Sequence, residues 1–111
     1  MSRREGVLDL SVGPEAALGA CRAAIGEMGW HLISQDGDRI VAREDPVRLC
    51  CYQSPARSEL RVSAAEHGST VAIETKVPGF GPVCSAQADE RQKSLVRRLH
   101  KHAVGPAGRL R

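Results

Sequence analysis

Two runs of strict alternation, joined by a tight turn, limit this chain more than any other feature. Glu59 to Glu66 places Leu60, Val62 and Ala64 on one side. His67-Gly68-Ser69 then turns the chain into Thr70 to Val77, where Val71, Ile73, Thr75 and Val77 oppose Ala72, Glu74 and Lys76. A period of two is the signature of a strand with one face buried and one face wet. Consecutive strands linked by short turns form antiparallel sheets, and such a sheet leaves one face to water.

The same pattern extends outward. Val7 to Val12 alternates Leu8, Leu10 and Val12 with Asp9 and Ser11. Trp30 to Gln35 and Arg39 to Glu44 flank Asp36-Gly37-Asp38, a strong hairpin signal. Val47 to Gln53 alternates again after Pro46, and Ser54-Pro55-Ala56-Arg57 reads as a loop. About six strands are therefore expected.

Two segments carry the helical period instead. Gly13-Pro14-Glu15 opens the first, because proline at the first helical position forfeits only a donor that has no partner there. Ala17, Leu18, Cys21, Ala24, Ile25 and Met28 share one arc, and Gly29 is placed to end it. The second runs from about Ser85, as its cap, to Ala103, with Ala88, Gln92, Leu95, Val96, Leu99 and Ala103 on its buried side. Gly105-Pro106-Ala107-Gly108 is expected to end it. The predicted order is β-α-β-β-β-β-β-α: an α+β domain over 1–104, one curved antiparallel sheet with both helices on one face, and a flexible basic tail over 105–111.

That order resembles the helix-grip and TATA-box-binding-protein-like group of folds, in which a long C-terminal helix lies across such a sheet. The resemblance covers Val7 to Ala103 and is one of layout, with no family motif. It implies, for helix-grip domains, a cavity between the last helix and the sheet that carries a small apolar ligand. It does not carry DNA binding over, because those proteins use phenylalanine wedges on two repeated halves. This chain has one Phe, Phe80, in a predicted turn.

Composition supports a folded but lightly built core. Leu, Ile, Val and Phe number 24 of 111 residues, with one Trp and one Tyr, and the net charge is +3. That balance lies outside the disordered range. No apolar run approaches the 18 or so residues that cross a membrane, and no signal-like segment follows Met1. A cytoplasmic location follows as the expectation, and with it four thiols rather than disulfides.

The charge is uneven. Arg91 to Arg111 holds seven Lys/Arg and no acid, whereas the first 90 residues hold nine Lys/Arg and thirteen Asp/Glu. Arg91, Lys93, Arg97, Arg98 and Lys101 are thus candidate contacts for an anionic macromolecule or an acidic protein. Nucleic acid is disfavoured by the shortage of aromatic rings on which bases stack. The outward sheet face is the second candidate surface. It is predicted to mix Ile33, Val41 and Tyr52 with His31, Arg43, Arg48, Arg61 and Lys76, a patch for self-association if the apolar members cluster.

Enzymatic chemistry has less support. Cys84, just before the last helix, is placed where backbone N–H groups lower a thiol's pKa, and Cys50 faces the wet side of its strand. A reactive thiol at either also needs a base, and none is visible. Cys51 reads as a small core residue. The histidines have no zinc spacing, so neither metal nor cofactor is expected. Glu44-Asp45 reads as a solvated bend. The leading expectation is a non-catalytic binding module, using the basic helix or the open sheet face. A small-ligand carrier and a thiol enzyme or redox sensor are the alternatives.

Overall fold

The computed structural model describes residues 2–45, 55–79 and 81–109. Its elements are β1 (Ser2–Leu10), α1 (Pro14–Glu27), β2 (His31–Asp36), β3 (Arg39–Arg43), β4 (Arg57–Ala65), β5 (Gly68–Val77) and α2 (Pro82–Arg109). The strands form one antiparallel sheet in the order β1-β5-β4-β3-β2, with α1 and α2 side by side on one face. The α+β layout expected from the alternation is therefore present, with five described strands. The sixth expected strand, residues 47–53, lies outside the described residues. No described helix is long and apolar enough to cross a membrane.

The core lies between the helices and the sheet. Val71, Ile73, Thr75 and Val77 of β5 are buried, as are Leu60 and Val62 of β4 and Ile40 and Ala42 of β3. They meet Ala17, Cys21, Ala24 and Ile25 of α1 and Ala88, Leu95 and Leu99 of α2. Burying a branched aliphatic side chain contributes about 1.5–3 kcal/mol, so these residues carry most of the fold. Ala64, on the same side of β4, is exposed.

A thread of polar groups crosses this apolar layer. The Thr75 hydroxyl donates to Gln92 Oε1, and Gln92 Nε2 donates to the Ile73 carbonyl at 3.2 Å. With the Thr75 proton so used, the Ser58 hydroxyl donates to Thr75 at 2.8 Å. Buried hydroxyl and amide groups need such partners, and here they fix α2 against β5.

The start of β1 and both ends of α2 differ from expectation. β1 begins at Ser2, not Val7, because Ser2 to Gly6 continues the ladder with β5 despite its polar side chains. α2 begins at Pro82, not Ser85. The Gly81 carbonyl accepts the first helical bond from Ser85 N–H, so proline occupies the first position just as in α1. Ser85 is then inside the helix, where its hydroxyl accepts from Arg4 at 2.8 Å. The helical backbone continues to Arg109, past the expected stop at Gly105. Proline's own φ is compatible with a helix, although Pro106 forfeits a backbone hydrogen bond and crowds the carbonyl one turn before it.

The end of α1 follows its sequence closely. Gly29 has φ +73, Gly29 N–H bonds to Gly26 O, and Trp30 N–H bonds to Ile25 O. These are the paired bonds of a Schellman motif, and Trp30 is buried behind it.

Candidate ligand cleft on the open sheet face

The side chains pointing away from the helices fall into rows set by strand register. One row crosses all five strands: His31 opposite Arg43, Arg43 opposite Arg57, Arg57 opposite Lys76, and Lys76 opposite Arg3. The next row is Ser34, Val41, Glu59, Glu74 and Glu5. The third contains Arg39, Arg61, Ala72 and Val7. A cationic row thus borders an acidic one. Residues directly opposite on neighbouring strands have Cβ atoms only about 4.5–5.5 Å apart, and like charges so placed repel.

Most of these charges are compensated within the face. Glu59 pairs with Arg39 at 3.0 Å and with Arg61 at 2.7 Å. Glu74 pairs with Lys76 at 3.3 Å and with Arg3 at 3.4 Å. His31 lies 3.7 Å from Asp45. Arg43 and Arg57 are different. Both are exposed, and among the described residues neither forms an ion pair or side-chain hydrogen bond.

A cleft of about 560 Å³ opens over this pair, with Lys76 on its floor and Pro55 and Pro78 among its walls. A second space, of about 420 Å³, adjoins it over Val7 and Ala72, and Glu59 and Glu74 border both. Volumes of roughly 300–1,000 Å³ are those of small-molecule sites.

Hydrogen bonds from Arg39 and Arg61 hold the Glu59 carboxyl down, from 4.5 to about 2. A carboxylate whose pKa is lower in the folded chain stabilises the fold above its unfolded value and loses that contribution as pH falls. The loss here runs from about pH 4.5 toward about pH 2. A Glu59→Gln variant should therefore show a flatter fall in melting temperature across that window than the parent. Equal slopes for the two proteins would remove the role given to these arginines.

The basic residues of α2 are placed otherwise. Arg91 Nε reaches Glu44 Oε2 at 2.8 Å, and its Nη1 reaches Glu90 at 2.9 Å. Lys93 pairs with Asp89 at 3.0 Å. Glu27, at the end of α1, gathers Arg98 at 3.2 Å, Lys101 at 3.0 Å and His102 at 2.8 Å. Hydrogen bonds from Lys101 and His102 lower the Glu27 pKa. Arg97 is the one of the five that has no such partner among the described residues.

Glu44 was expected on a solvated bend, but it is 9% exposed. Besides Arg91 it accepts from the Ala56 N–H at 3.2 Å and from Gln87 Nε2 at 3.5 Å. Its acidic neighbour Asp45 and the following Pro46 conceal this, because nothing local announces the approach of α2.

The thiols are equally distinct from one another. Cys84 is half-buried inside the first turn of α2, and its Sγ donates to the Pro78 carbonyl at 3.6 Å. Cys21 is buried, and desolvation raises its pKa to about 12. Cys50, Cys51, Tyr52 and Arg48 lie outside the described residues. The expected apolar patch does not form from the described members. Val41 is buried at 2% exposure, whereas Ile33 is exposed at the bulge between Leu32 and Ser34. Arg57 was missed as a surface cation because its neighbourhood reads as a loop, although it is the first residue of β4.

No family model matches the chain. No curated protein matches it either. Solved structures do. Protein CV1439 from Chromobacterium violaceum is similar with a TM-score of 0.61 at 10% identity, covering 95% of this chain and 99% of that one. Ara h 8.0201 is similar with a TM-score of 0.57 at 8% identity, over 92% and 97% of the two chains. The KanY protein (ms6282) is similar with a TM-score of 0.54 at 18% identity, over 93% and 97%. Identities this low establish a shared fold only. At that coarse level the helix-grip layout fits, and these likenesses give no support to its TATA-box-binding-protein-like counterpart.

Proposed function

We propose that this chain is a non-catalytic ligand-binding module whose site is the cleft on the open sheet face. The observation that carries the reading is the pair of uncompensated arginines, Arg43 and Arg57, at a cleft of about 560 Å³. The rival surface, the cationic side of α2, has four of its five candidate residues matched by acids of the same chain. Surface pairs of this kind contribute little stability, but they do spend the charge that an anionic partner would meet.

The other place for a ligand in a helix-grip fold is the space between α2 and the sheet. Here Ile73, Leu95 and Leu99 meet across that space and are buried, which favours the outer cleft.

The test is a small-molecule fragment screen on the isotope-labelled full chain, read by backbone amide shifts. Hits should move amides of β3, β4 and β5 around Arg43, Arg57 and Lys76. Hits that instead move only Leu95, Leu99 and Ile73 would replace this reading with an apolar-ligand carrier. Binding that depends on Arg97 and not on Arg57 would return the function to the helix.

A further inference from the structure

Resting on the cleft reading, we infer that the ligand is a small molecule with a single oxyanion head, phosphate or carboxylate, bridged between Arg43 and Arg57. Strand register sets these residues directly opposite each other. Two guanidinium groups held that close repel each other in the free protein, and an anion between them removes the repulsion and forms charge-assisted hydrogen bonds. Guanidinium forks match the geometry of both carboxylate and phosphate.

The surroundings limit the head to one. Lys76 and Arg3 continue the cationic row, but both are ion-paired, Lys76 to Glu74 and Arg3 to Glu74 and Glu5. One step along the strands, Glu59 and Glu74 line the same cleft and engage Arg39, Arg61, Lys76 and Arg3, so a second negative group there finds no free partner. Among the described residues a polyanion therefore meets only two free cations at this cleft, with carboxylates beside them. The cleft is much larger than one phosphate or carboxylate, and Pro55 and Pro78 give it apolar walls. A compact, uncharged body attached to the head fills that space.

The experiment titrates the labelled full chain with phenyl phosphate, benzoate, benzyl alcohol and inorganic phosphate, followed by amide shifts. Phenyl phosphate, benzoate or both should move the amides around Arg43 and Arg57. Arg43→Gln or Arg57→Gln should weaken that binding at least tenfold, and Arg97→Gln should change it less than twofold. Each Gln variant removes a like-charge contact, so its melting temperature should hold or rise, which guards against loss of folding. Benzyl alcohol binding as tightly at the same amides would overturn the oxyanion head and leave the cleft as a binding site. Inorganic phosphate binding as tightly as phenyl phosphate would overturn the small-molecule body. Failure of all these probes, while other neutral fragments occupy the cleft, would likewise overturn the head alone. Silence of the open face toward every compound would defeat the cleft reading itself.

Discussion

An alanine at Gly68 should destabilise the fold by about 3 kcal/mol or more, enough to leave a marginal domain partly unfolded. Two effects combine. Gly68 has φ +137, a conformation that side chains rarely adopt. A Cβ built there would also lie 2.5 Å from Leu10 O, 2.7 Å from Ser11 C and 2.8 Å from Val12 O. All three are backbone atoms, so no side chain can turn aside. They belong to the corner where β1 gives way to α1, which the neighbouring Ser69 hydroxyl also holds by donating to Val12 O at 2.8 Å. Gly37 supplies the control. Its φ is +61, and nothing lies within 4 Å of the Cβ it would gain. Gly37→Ala should cost about 1 kcal/mol from backbone strain alone. Denaturant midpoints of the two variants decide the matter. Equal losses would show that the close approach of the two chain segments is absent.

The second large effect is expected at Glu44. Removing its carboxylate leaves Arg91, whose side chain is 17% exposed, with only the outlying Glu90 as a partner. It also deprives the Ala56 N–H of a side-chain acceptor. Breaking a buried pair costs about 3–5 kcal/mol, whereas replacing both members by apolar groups is often neutral. Both side chains keep some contact with water, so Glu44→Ala should cost about 2–3 kcal/mol. Glu44→Leu combined with Arg91→Met should recover much of that loss. Urea unfolding of the single and double variants gives the coupling. Additive losses would mean that the two residues act independently. Arg91→Ala, for its part, should lower stability while leaving ligand affinity at the open face unchanged. A residue singled out as a binding contact for its charge would thereby prove to be a fastening for α2.

What the sequence reveals and conceals divides along physical lines. The buried sides of β4, β5, α1 and α2 are legible because each is written in the local period of its own element. Leu60 and Val62, or Leu95 and Leu99, need no knowledge of distant neighbours to be placed. The same holds for Gly29, whose φ follows from the end of one helix. Relations between elements are not written locally. Arg43 and Lys76 were recognisable as outward-facing, but their alignment with Arg57 depends on how β3, β4 and β5 are offset. Glu44 looked solvated because its partner is 47 residues away in sequence. Cationic residues on α2 suggested a docking surface because their counter-charges, Glu27 and Glu44, come from other parts of the chain.

The strand order has a further consequence, for the route by which the chain folds. Among the described residues, every strand partner of β1 lies in β5, from Ser2 opposite Val77 to Leu10 opposite Ser69. The β4–β5 hairpin can form from neighbours in sequence, but the N-terminal strand must wait for a segment about 60 residues downstream. Its first hydrogen bond thus closes a long loop, and the entropy of that closure is spent before any of the bond's enthalpy returns. β1 is therefore expected to join the sheet late, onto a template built by β4 and β5.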